Sequence, residues 1–328
     1  MKRSSIRLAS LLCLALALPS FADKHPKLSI QTKDKVHQVM IGDELFVGYN
    51  PTNTQKPYLY PIIGPTGANM TRHYPLKKDI AGESDDHPHH TSLWFTHGGI
   101  NGVDFWHGKS GAGVVTNLSS KQPETPGQWP AIEAADRWLK PDRSKLADSI
   151  TDYQFSVLDD GARIIEYKTM IKPALGIDEL IFADTKEGTM AIRLAPQLRL
   201  KGKVATGKAI NSEGDKDRAV WGKRAKWVAY WGVIDGKTCG VAIFDHPSNL
   251  RHPTWWHARD YGLVAANPFG ISDFERGKHK RGAGNHAVKQ GEALSLRYYF
   301  VFFAGTAEEA DIAGKYEQWV KKTTSEEE

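Results

Sequence analysis

The side chains best suited to moving protons are unevenly distributed along this chain. All 13 histidines fall in two banks, one ending at His107 and the other beginning at His246. Three of them crowd into Asp85-Asp86-His87-Pro88-His89-His90. Imidazole exchanges a proton near neutral pH, so a cluster of this kind suits acid–base chemistry or metal ligation. On an extended segment, strand alternation places His87 and His89 on one face and Asp86 with His90 on the other. The first pair, given a third ligand, would hold a divalent ion such as zinc or copper. The second would be an oriented acid–base pair. His25, His37, His279 and His286 stand alone and are expected to be ordinary surface or core residues.

Aromatic rings accompany both banks. The string from Thr91 to His107 contains Trp94, Phe95, His97, Asn101, Asp104 and Trp106, and the string from His252 to Gly262 contains Trp256, His257 and Arg259. Aromatic faces beside polar and titratable groups suit a sugar, whose apolar ring face stacks while its hydroxyls need donors and acceptors. The expected catalytic set is therefore Asp86 with His90, answered by His97, His107 or His257. Trp94, Trp106 and Trp256 would supply stacking surface. Arg72 or Arg259 would hold a carboxylate, hydroxyl or oxyanion, with Asn101, Asp104 and Asn267 as further contacts.

Other mechanisms lack their signatures. There is no His-Glu-x-x-His and no Gly-x-Ser-x-Gly. The spacing from Gly102 to Gly108-Lys109-Ser110 is one residue too long for a phosphate-binding loop. His87-x-His89 opens like a cupin metal motif, but Leu93 and Trp94 stand where its glutamate belongs. No pair of carboxylates marks an ordinary retaining or inverting glycosidase.

The scaffold for these residues reads as β-structure. Runs such as Val36 to Ile41, Arg163 to Ile171, Lys226 to Ile234, Thr238 to Asp245 and Ala293 to Ala304 are rich in Val, Ile and aromatic residues. Asp159-Asp160-Gly161 and Asp235-Gly236 are hairpin signals between such runs. Many short strands predict an all-β fold, a large sandwich with long loops. One helix is expected, over Thr306 to Lys322, with Thr306 as its cap. The stretch from Leu118 to Asp148, with four prolines, reads as an irregular excursion, and Thr206 to Ala219 as a polar loop.

At 328 residues and 40% hydrophobic composition, the chain can build a packed core, which excludes disorder for its bulk. Residues 1–22 read as a signal peptide: Lys2, Arg3 and Arg7 precede an apolar run from Leu8 to Leu18, and small residues suit cleavage after Ala22. Three of the 43 cations fall in this leader, so the formal charge of +5 drops to about +2 over residues 23–328. A nucleic-acid partner thereby loses its compositional support. Of the two cysteines, Cys13 falls in the leader and Cys239 in an apolar strand, where a buried small residue is expected. No other apolar stretch is long enough to cross a membrane. The expectation is a single β-sandwich domain over 23–328, periplasmic or secreted.

Four strings, Lys56 to Gly67, Asp86 to Phe95, Asn101 to Trp106 and Asn267 to Gly270, resemble the PmoA-like bacterial family of unknown function. That family's label refers to methane oxygenase, and a membrane monooxygenase subunit needs several spanning helices that this chain lacks. The resemblance implies a galactose-mutarotase-like sandwich in bacteria that degrade complex polysaccharides. Three functional readings follow: a carbohydrate-active enzyme using His/Asp chemistry for epimerisation, mutarotation, elimination or hydrolysis, a non-catalytic sugar-binding protein, or a His-rich divalent-metal-binding protein. The sugar, the bond and the oligomeric state are left open at this level.

Overall fold

The computed structural model describes residues 27–51, 55–124, 127 and 129–325. The expected leader, its Cys13 and His25 lie outside these residues. Five strands lead to the first histidine bank and just beyond it: β1 (Leu28–Lys33), β2 (Val36–Ile41), β3 (Glu44–Asn50), β4 (Tyr58–Ile62) and β5 (Leu93–His97). A four-strand meander follows as β6 (Val114–Lys121), β7 (Ala131–Leu139), β8 (Lys145–Val157) and β9 (Arg163–Pro173). Then come β10 (Glu179–Phe182), β11 (Gly188–Arg193), β12 (Lys208–Asn211), β13 (Trp227–Ile234) and β14 (Lys237–Asp245). The last strands are β15 (Trp255–Trp256), β16 (Leu263–Asn267), β17 (His286–Lys289) and β18 (Leu294–Ala304), with a one-turn helix α1 (Ile271–Phe274) before β17 and α2 (Ile312–Ser325) at the end.

These strands form two antiparallel eight-stranded sheets. Sheet I has the order β1-β2-β3-β4-β5-β11-β16-β15, sheet II the order β12-β13-β14-β18-β9-β8-β7-β6, and β10 with β17 makes a small ribbon. The all-β sandwich expected from the strand pattern is thus observed. Alternation decides which side chains enter the core. Leu93 and Phe95 of β5, Met190 and Ile192 of β11, and Val264 and Ala266 of β16 face sheet II, where they join Phe155, Ile165, Tyr167 and Phe300 in one apolar cluster. Edge-on pairs such as Phe46 with Phe155 and Phe95 with Trp138 tie the sheets together.

The residues between those inward positions face outward. Trp94 pairs with Ala191 across β5 and β11, Ala191 with Ala265 across β11 and β16, and the Ala265 backbone exchanges hydrogen bonds with His257. Trp94, Ala191, Leu263 and Ala265 form a small buried cluster with Tyr58, Tyr60 and Trp106 on the outer side of sheet I. On the outer side of sheet II, Ala229, Ala242, Phe244, Val301 and Phe303 are covered by Ile312, Tyr316 and Trp319 of α2.

Three expectations about local structure need correction. The proline-containing stretch 118–148 is not an excursion: it carries the end of β6, all of β7 and the start of β8, with Pro123, Pro130 and Pro141 in the connections. Within 206–219 lie β12 and the start of a short 3-10 turn, Asp217–Val220. The C-terminal helix begins at Ile312, six residues later than expected. Thr306 and Glu309 do exchange capping hydrogen bonds, yet they close a turn ahead of the helix. Cys239 is buried and free. Among the described residues no helix is long and apolar enough to cross a membrane.

Candidate functional site

A cavity of about 660 Å³ opens over the outer face of sheet I. It is lined by His87, His89, His90 and His107 from the first bank and by His257, Arg259 and Tyr261 from the second, with Lys109, Lys186 and Glu187 completing the wall. The two banks, more than 140 residues apart in sequence, therefore meet in one pocket. Strand pairing brings them together. β11 lies between β5, which follows the His87-His89-His90 cluster, and β16, which pairs with β15 and His257. Arg259 and Tyr261 sit in the turn between β15 and β16, which closes through Gly262 at φ 89°.

The cluster segment is not extended. His87 has φ 46°, and the His90 N–H donates to the His87 carbonyl at 3.0 Å, so residues 87–90 form a turn. A left-handed backbone at a non-glycine residue is uncommon and needs support from its surroundings. Arg72 supplies it: its guanidinium donates to the carbonyls of Ser84, Asp86 and His87 and to the Asp86 carboxylate at 2.6 Å. Arg193 donates to the same carboxylate oxygen at 2.9 Å. The expected pairing of Asp86 with His90 is thereby corrected. Burial alone would raise the Asp86 carboxyl, but Arg193, Ser84 and Arg72 outweigh it and hold the group at about 2. Asp86 is an anchor for two arginines. Arg72, buried at 2% exposure, is occupied in holding this turn and does not line the cavity.

His90 is buried, and its Nδ1 accepts from Arg193 Nη1 at 3.1 Å. A guanidinium can only donate, so the proton of this imidazole sits on Nε2. Burial and the neighbouring cationic and imidazole groups keep His90 well below its ordinary pKa. Its ring belongs to a stack of four. Tyr261 lies on His87 at 5.3 Å, His87 on His90 at 4.8 Å and His90 on Trp94 at 5.3 Å, with interplanar angles of 10°, 10° and 22°. Trp94 and Trp106 thus lie beneath the histidines, at 1% and 0% exposure. They do not offer the stacking surface expected of them.

The other histidines separate by environment. His107 Nδ1 donates to Asp104 Oδ2 at 2.8 Å, while Asp104 Oδ1 accepts from the backbone N–H groups of Trp106 and His107. These hydrogen bonds overcome the effect of burial and hold the Asp104 carboxyl below its usual range, and the same contact raises His107. The dyad leaves His107 Nε2 as the basic nitrogen, without a hydrogen bond among the described residues. An Asn101-Gly102 turn, with φ 50° and 78°, reverses the chain just before Asp104. His257 is 2% exposed, and neither ring nitrogen has a hydrogen bond of ordinary geometry among the described residues. Burial pushes it down to about 4, with the nearby Glu187 opposing that shift and Arg259 adding to it. His89, driven to about 3 first by burial and then by Lys56, also has a buried Nε2 without a partner.

Several expected contacts lie elsewhere. His97 is fully buried, with Nε2 against the Ala183 carbonyl at 2.8 Å and its ring against Phe182 and Phe269. Trp256 sits in the core and donates to the Ala225 carbonyl. Asn101 clasps β10 through Ile181 N–H and the Glu179 carbonyl. Asn267 is fully buried, accepting from the Phe269 and Gly270 N–H groups. None of the four lines the cavity. His87 and His89 meet edge to face with centroids 5.6 Å apart. No group of three or more His, Cys, Asp or Glu is arranged to hold a metal ion among the described residues.

The cavity is lined and backed by residues that carry no motif signal. Lys186 and Glu187, joined at 2.8 Å, immediately precede β11. Lys56 is buried against the Trp94 ring, donates to the His89 carbonyl at 2.7 Å, and is lowered by burial to about 7. Arg193 lies in a strand and carries no local signal. A second hollow of about 500 Å³ lies beside α2, but its carboxylate Glu166 is tied to Arg297 at 2.6 Å, and no imidazole lines it among the described residues.

Fold and site together define a class: an all-β sandwich with a histidine-lined pocket open on the outer face of one sheet. The chain belongs to DUF6807, a family of unknown function, whose model matches residues 37–317 and so spans every pocket residue. This agrees with the expectation of a family of unknown function. No curated protein matches the chain.

Proposed function

We propose that the protein is an exported carbohydrate-active enzyme in which His107, oriented by Asp104, exchanges a proton with a sugar seated in the cavity over sheet I. The observation that carries this reading is an oriented imidazole in the same pocket as buried ring nitrogens that have no hydrogen bond of ordinary geometry among the described residues. A free Nε2 on a histidine fixed by a carboxylate is the arrangement general acid–base catalysis requires. Glu187, whose charge acts on both His107 and His257, is the second proton-exchanging group. Neutral His89, whose buried Nε2 has no partner among the described residues, and neutral His257, held only by a contact with the Lys186 backbone, provide hydrogen-bonding capacity for hydroxyl groups. A cavity of about 660 Å³ falls within the range of small-ligand sites. The PmoA-like resemblance and the leader-like segment 1–22 support a polysaccharide context and export.

The test compares wild type, His107→Ala and Glu187→Gln on a panel of oligosaccharides, reading turnover alongside melting temperature. Loss of His107 is expected to reduce turnover about 10²–10⁴-fold with melting nearly unchanged. Unchanged turnover in both variants would remove the acid–base assignment. Binding of oligosaccharides without turnover of any panel member would leave a sugar-binding protein in place of an enzyme.

A further inference from the structure

The charges in the pocket are unequally matched. Of the three cations in its wall, only Lys186 has an acidic partner among the described residues, Glu187. Arg259 lies over the Tyr261 ring at 5.3 Å and has no carboxylate within ion-pair distance among the described residues. Lys109, exposed at the opening, has none either. Directly behind the wall stand three buried cations, Lys56, Arg72 and Arg193, and the carboxylates acting on them are Asp86, Glu83 and Asp104, so the unmatched charge lies in the wall itself. The crowding registers on Arg193 itself, which burial first and then the Arg72 charge lower to about 9. The imidazoles of His89, His90 and His257 add no compensating negative charge.

Resting on the sugar reading above, we infer that the pocket selects an anionic sugar, a hexuronate whose carboxylate is held by Arg259 and Lys109. A guanidinium stacked on an aromatic ring keeps its N–H edge free for the two oxygens of a carboxylate. Glu187 in the same wall makes a doubly charged phosphate ester costly, so a single negative charge fits best. A carboxylate held by cations also acidifies the hydrogen on the adjacent ring carbon, which is where an oriented imidazole such as His107 has use.

Calorimetric titration of the full chain with sugar pairs that differ only at C6 tests this: galacturonate with galactose and glucuronate with glucose oligomers, plus galactose 6-sulfate. The uronates are expected to bind at least tenfold tighter than their neutral counterparts at low ionic strength, with the margin shrinking as salt rises. Arg259→Gln should erase that margin, and Lys109→Gln, at an exposed position with no folding role, should reduce it. Equal binding of neutral sugars and uronates would overturn the inference while leaving the carbohydrate reading intact. Preference for the sulfate ester would overturn the carboxylate assignment. Binding of no sugar of any kind would bring down the carbohydrate reading itself.

Discussion

The two outer faces of the sandwich are built by the same strand alternation and end differently. Sheet II presents Ala229, Ala242, Phe244, Val301 and Phe303, and α2 covers them with Ile312, Tyr316 and Trp319. Charges on that side are tied in pairs, Arg297 with Glu166 and Lys315 with Asp160, both at 2.6 Å. Sheet I presents Trp94, Ala191, Ala265 and His257, and loops rich in imidazole cover them. A helix satisfies its own backbone and can offer a purely apolar stripe. Loops bring side-chain chemistry, and here they leave buried His89 and His257 ring nitrogens without a hydrogen bond of ordinary geometry among the described residues. The difference teaches that the cover, not the sheet, decides which face is a site.

The strongest way to sharpen this contrast is Trp319→Ala. Trp319 is buried against Phe244, Tyr299 and Tyr316. Its loss is expected to cost about 3–5 kcal/mol in denaturant unfolding while ligand binding per folded molecule stays constant. A changed affinity would mean that the two faces are coupled.

Acidification should act on the other face. His257 sits at about 4 in the fold against an ordinary 6.5. A base whose charged form is disfavoured in the fold leaves stability whole above about pH 6.5 and removes it as pH falls toward 4, by up to about 3 kcal/mol. His257→Leu should therefore reduce the slope of the melting profile across that window, leaving the share carried by His89, His90 and His97, and weaken ligand binding, as expected where a site gives up stability for function. A variant with the wild-type pH slope would show that His257 does not carry the effect.

The smallest effect belongs to Asn101→Ala. Losing its two hydrogen bonds to β10 should lower stability by about 1 kcal/mol and leave KM unchanged, because Asn101 is a clasp between loops. A raised KM would return it to the pocket.

How far the sequence could be read follows the same physics. Strands with clean hairpin signals were legible, because Asp159-Asp160-Gly161 and Asp235-Gly236 both make the turns their residues favour. β7 alternates strictly between half-buried and buried positions, yet the prolines around it hide the pattern when the stretch is taken as a whole. At the site, the abundance of imidazole marked the right segments. Alternation then failed for His87 to His90, because it assumes that no tertiary contact outweighs the extended form, and Arg72 with Arg193 does outweigh it. Glu187 and Lys186 enter only through strand pairing, which no local spacing encodes.

Arg193, one of the two arginines on Asp86, lies 107 residues downstream of it, and the same side chain reaches His90 across 103. Contacts of that separation form only after long loops have closed, so a chain with sheet I half assembled carries the histidines without the ring stack. The pocket is therefore a reporter of complete folding. A ligand that binds it binds the native state alone, and by mass action each tenfold excess over its dissociation constant adds about 1.4 kcal/mol to the stability of the whole sandwich.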